Sequence, residues 1–248
     1  KMNEAFALNN AKKTAEALNA FLLVGRNTEQ QRNEVEHQVY VCSQTMACMC
    51  YETLKRYEGA YLLAKKLMSG SLTEKEKKDV SHLYAMNGYM YATSFMHGDN
   101  RQLVKARTIL EDIMPYADDR VREYALPKIP LSWYLEGAEY HLSQQYDKAL
   151  ACYQNALKGF IELRKTDDEI SVLRHIAEIK GTLYDVIGSE NAYKQALYLS
   201  RQTGKSDAQM DILKELWTIG KTIGDVQLAQ AYAASIDSLV DATSDLQT

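Results

Sequence analysis

Seven residues at fixed spacing constrain this chain more than anything else in it. They are Trp133, Gly137, Tyr140, Tyr146, Ala149, Tyr153 and Ala156, within SWYLEGAEYHLSQQYDKALACYQNALKGF. Gly137 and Ala149 lack bulk where two antiparallel helices would touch. Tyr140, Tyr146 and Tyr153 would fill the space between that pair and the next. The pattern predicts a helix–turn–helix unit that cannot bury its apolar face alone, and so calls for neighbours of the same kind.

The rest of the chain suits such an array. Only three prolines (Pro115, Pro127, Pro130) and 12 glycines interrupt 248 residues rich in helix formers, which reads as all-α. With 46% hydrophobic and 25% charged residues, it is large enough for a substantial core. Its formal net charge of −4 supplies no basic patch for nucleic acid. The longest apolar run near the start, Ala20–Val24, is far short of the roughly 20 residues that span a bilayer. No signal peptide is recognisable, and a trimmed N-terminus remains open.

Helix starts are expected at capping boxes: Thr28 with Gln31, Thr73 with Glu76, Thr166 with Glu169, and Ser206 with Gln209. Stops are expected at Gly25, Gly70, Gly98, Gly188, Gly204 and Gly224. These signals predict a leading helix over about 3–24. Helix pairs follow over about 28–69, 73–114, 117–165, 167–203 and 206–241, all within one domain, 1–248. Pro127 and Pro130 should make a kink or a short irregular entry into the third pair, not a domain boundary. The small residue facing the partner helix is read as Ala60, Ala106, Ala149, Ala196 and Ala229. The distances from Gly98 to Ala106 and from Gly188 to Ala196 then imply two lengthened turns.

The spaced pattern resembles the tetratricopeptide (TPR) repeat, over roughly 28–243 and best over 130–160. The resemblance implies a right-handed superhelix of antiparallel helix pairs, whose first helices line a concave groove. Matching positions would offer Thr45, Met49 and Glu52, then His82, Ala85 and Tyr89. Next come Tyr134, Ala138 and His141, then Glu178, Thr182 and Asp185, then Lys214, Thr218 and Lys221. Of these, Tyr89, Tyr134, His141, Glu178, Asp185, Lys214 and Lys221 are the candidate partner-binding residues. The implied partner is a protein or peptide in the groove, with no nucleic acid and no membrane insertion by this segment. The Lys and Asn set by which some TPR proteins capture a C-terminal carboxylate is missing.

Catalytic motifs are absent: there is no phosphate-cradling glycine loop, HExxH, GxSxG or CxxC. The chain is read as non-enzymatic, with no cofactor and no metal. The five histidines (His37, His82, His97, His141, His175) show no spacing of three or four. Cys42, Cys48, Cys50 and Cys152 are read as small buried hydrophobes, Cys48 and Cys50 being unable to share a metal because they face opposite sides of a helix. The acidic clusters Glu111-Asp112, Asp118-Asp119 and Asp167–Glu169 are read as solvated helix termini.

The ending, Gln230 to Ala242 with YAASIDSL at its centre, is similar to the last repeat of bacterial membrane-anchored regulators. There a TPR array precedes a coiled coil, a membrane helix and a kinase or DNA-binding output domain. That resemblance implies the extracytoplasmic sensor segment of a signalling protein, joined to its output through the last helix and Ser244 to Gln247. The alternative is a free-standing cytoplasmic adaptor.

Overall fold

A computed structural model describes residues 1–10, 12–98 and 101–244. All elements among them are helical, with no strand. The predicted continuation through Asp245 to Gln247 lies outside the described residues. The chain divides into two compact units, Lys1–Ile129 and Pro130–Thr248.

In the first unit, α1 (Met2–Asn10) and α2 (Thr14–Thr28) replace the expected single leading helix. Lys12 adopts φ 60, and Lys13 N–H donates back to the Leu8 carbonyl. The two helices therefore fold on each other, with Phe6 edge-on to Phe21 at 5.3 Å. No Gly or Pro marks this break, and sequence punctuation missed it. Next come α3 (Glu34–Thr53), α4 (Tyr57–Met68), α5 (Glu74–Ser94), α6 (Leu103–Ile113), a 3-10 turn (Met114–Tyr116) and α7 (Asp119–Ala125). Each of α1 to α5 packs on the helix that follows it, and α7 packs on α5. Because α3 is covered by both α2 and α4, Cys48 and Cys50 are buried although they point opposite ways. Cys48 Sγ donates to the Ala60 carbonyl, and burial pushes its thiol up to about 12. Cys42, by contrast, is exposed, correcting its assignment to the core.

The second unit holds α8 (Lys128–Leu142, from Pro130 on), α9 (Tyr146–Glu162), α10 (Thr166–Thr182), α11 (Val186–Gln202), α12 (Ser206–Thr222) and α13 (Val226–Ser244). The kink expected at the prolines is the break between α7 and α8, with Pro130 buried in the first turn of α8. From α9 to α12 every helix has 17 residues and every turn has three. Gln144, Arg164, Tyr184, Gly204 and Gly224 recur at intervals of twenty, all with left-handed φ. After each, the next residue donates its N–H to the carbonyl five residues back, as Lys165 does to Phe160 and Asp225 to Gly220.

This turn explains which start and stop signals fail. The residue before each helix spends its amide on the preceding helix, so Thr166 and Ser206 stand inside their helices rather than capping them. Thr28 closes α2, and Asn33 is the residue that caps α3. Thr73–Glu76 alone of the four is a reciprocal capping box. Gly25 lies buried inside α2 against the Gln44 side chain, and Gly188 lies inside α11. The turn before α11 is therefore not lengthened, whereas the one from Phe95 to Gln102 is.

The same register corrects one contact residue. The fourth residue of α4, α6, α9, α11 and α13 is Ala60, Ala106, Ala149, Ser189 and Ala229. Ser189, not Ala196, holds the small-residue position, and its buried Oγ donates 2.8 Å to the Ala177 carbonyl. A polar side chain disguised the position by forming a hydrogen bond to the partner helix that satisfies it. From Ala149 to Ser189 to Ala229 the repeat is forty residues, longer than the TPR period of about 34.

Candidate functional site

Successive first helices of the pairs in the second unit present a common face, and three candidate residues converge there. Tyr134 and His141 stand on α8 and Glu178 on α10. His175, also on α10, joins them. The Tyr134 hydroxyl lies 3.0 Å from His175 Nε2. The His175 ring stacks on Tyr153 at 5.4 Å with planes 9° apart, and meets His141 edge-on at 6.0 Å. Gly137 permits this packing: a Cβ there would come within 2.9 Å of the Tyr153 ring, which is fully buried.

A concave recess of ≈ 420 Å³ opens beside these rings, lined by Tyr134, Arg174, His175, Glu178, Tyr193 and Glu215 among others. Arg174 reaches Asp211 at 3.3 Å, and the Glu178 carboxylate lies 3.5 Å from His175 Nδ1. Burial pushes His175 down, outweighing the pull of Glu178, so the imidazole is neutral at pH 7. Burial likewise raises Tyr134, and Tyr193 to about 12. The recess thus combines neutral aromatic donors with fixed charges of both signs, a surface suited to a polar, extended ligand.

Other candidates fall elsewhere. Asp185 lies in the turn before α11, accepting from Gly188 N–H and pairing with Lys180 at 3.3 Å; it serves as a helix cap. Lys214 is exposed on α12. Lys221 places its Nζ 4.3 Å from the Trp217 ring centroid, beside a separate hollow of ≈ 330 Å³. Tyr89 is half-buried on α5 of the first unit. That unit has its own recess of ≈ 800 Å³, which includes Met49 and His82. His82 Nδ1 there lies 2.7 Å from Asp118 Oδ2.

Sequence reasoning missed His175, Arg174 and Tyr193. A signal for the first two exists: Ser171, Arg174, His175 and Glu178 follow the three-and-four spacing of one helical face. The predicted face ran one turn too far, through Thr182 to Asp185, because the end of α10 was misplaced.

No family model matches the chain, and no curated protein matches it either. Among solved structures, BtubC (BKLC) from P. vanneervenii aligns over 93% of this chain and 92% of its own, with 12% identity and TM-score 0.45. A Podosopora anserina putative kinesin light chain with nearly identical TPR-like repeats aligns over 82% and 96%, with 14% identity and TM-score 0.41. The C-terminal part of a TPR repeat-containing protein from Cytophaga hutchinsonii aligns over 96% and 95%, with 15% identity and TM-score 0.39. The fold assignment rests on the helix packing described above: an all-α protein of antiparallel, TPR-like helix pairs.

Proposed function

We propose that the protein is a binding module that holds a protein or peptide segment against the first-helix face of its second unit. The observation that carries this reading is the recess bounded by α8, α10, α11 and α12, where Tyr134, Arg174, Tyr193, Glu178 and Glu215 turn toward one space. Tyrosine and arginine combine large contact area with directed hydrogen bonds, the chemistry of binding hot spots. Arg174 offers a carboxylate of the ligand a planar fork, while Glu178 and Glu215 favour a basic group beside it. The test is selection of short peptides on the folded protein, then affinity by fluorescence polarisation. Tyr134→Ala and Arg174→Ala should each weaken a selected peptide at least tenfold while the helical circular dichroism spectrum is kept. Equal affinity in both folded variants would move the interface off this face.

For cellular context, the reading is an extracytoplasmic sensor segment of a bacterial signalling protein. It is supported by the likeness of Gln230 to Ala242, on α13, to the last repeat of membrane-anchored regulators. Among the described residues no helix is long and apolar enough to cross a membrane. Topology reporters on the natural gene product, one within 1–248 and one beyond any downstream membrane helix, should report opposite sides. Both on the cytoplasmic side would favour the adaptor.

A further inference from the structure

The rings beside the recess also assemble a set of metal donors that no sequence spacing announces. His141 comes from α8, and His175 and Glu178 from α10. One ligand atom from each lies within 4.8 Å of the others. His175 Nδ1 is buried and has no hydrogen-bond partner. It faces Glu178 Oε2 at 3.5 Å, beyond the roughly 2.7–3.2 Å of a well-formed bond. A buried ring nitrogen left without a partner costs free energy unless something occupies it.

We infer that His141, His175 and Glu178 bind a first-row divalent transition cation, zinc being the type. Two imidazoles and a carboxylate are a recurrent donor set for such ions, and three protein ligands leave a further position for water or for a donor from a captured segment. His175 would ligate through Nδ1. Its Nε2 then carries the proton and donates to the Tyr134 hydroxyl, the outer contact that commonly fixes the tautomer of a ligating histidine. The stack on Tyr153 already holds the ring in place. Metal–ligand bonds of about 2.0–2.2 Å put ligand atoms roughly 3.3 Å apart, so the set must close by about 1.5 Å. Glu178 is exposed and His141 only partly buried, so both can make that adjustment by side-chain rotation. The site stands whether or not the recess binds a peptide, because its test involves no peptide.

The experiment uses the full chain stripped with a chelator. Cobalt(II) is titrated in and followed by visible d–d absorption, and zinc is then measured by competition and calorimetry. One equivalent should bind with micromolar affinity or better. His141→Gln and Glu178→Gln should each lower that affinity at least tenfold and bleach the d–d bands. His82→Gln, which alters the exposed His82–Asp118 pair, should leave the site intact. Apo circular dichroism and melting should match the wild type in all three, since none of these side chains is buried. Wild-type binding no tighter than that of the His141 and Glu178 variants, or cobalt spectra that only His82→Gln changes, would overturn the assignment.

Discussion

Asp112 gathers three donors from two neighbouring helices of the first unit. Its Oδ2 takes hydrogen bonds from Tyr61 at 2.7 Å, from Lys65 at 2.6 Å and from Tyr84. Burial pushes the carboxyl up, but the Lys65, Tyr84 and Tyr61 bonds outweigh it and hold Asp112 below its ordinary value. A carboxyl depressed on folding adds stability above its unfolded pKa, and that stability is lost as pH falls through the lower folded value. Asp112→Asn should therefore lower the melting temperature at pH 7. The gap to wild type should close on acidification below pH 4, as followed by thermal melting across pH. The sequence had placed Asp112 in a solvated cluster, because its three donors come from α4 and α5. At Ala149, fully buried where α9 meets its partner, extra volume has nowhere to go. Ala149→Leu should cost roughly 1–3 kcal/mol in a melting experiment.

Among elements, the turns set the architecture. Five left-handed residues at twenty-residue intervals make α8 to α12 end alike, yet only Gly204 and Gly224 are glycines. A side chain at such a φ costs about 1–2 kcal/mol. Arg164, exposed at φ 54, should thus become more stabilising as Gly, by about 1 kcal/mol, and Gly224→Ala should lose about as much. Denaturant unfolding of the two variants, expected to shift in opposite directions, checks both. Helix identity was legible from composition and periodicity. The ends were not, because the residues that reverse the chain at 12, 144, 164 and 184 are Lys, Gln, Arg and Tyr. Their conformation is imposed by the packing of the helices on either side, not by local preference.

In the molecule as a whole, stability should be graded. Helices α10, α11 and α12 each carry several residues of one continuous core, whereas Ala229 is the one buried residue of α13 among those described. Amide hydrogen exchange should be slowest in α10 and α11 and fastest toward the end of α13, since opening there exposes little apolar surface. Uniform protection through α13 would contradict this. The sequence by itself determined that the chain is helical and built of antiparallel pairs, and it located one close contact, Gly137 against Tyr153. Those properties follow from periodicity and from residue volume, which are local. Only the tertiary structure decided that the leading segment folds into two helices, that Ser189 fills an alanine's place, and that His141 and His175, 34 residues apart, share one site with Glu178. These depend on which faces of neighbouring helices meet, and that register is set by the turn lengths and by the contacts of the whole stack.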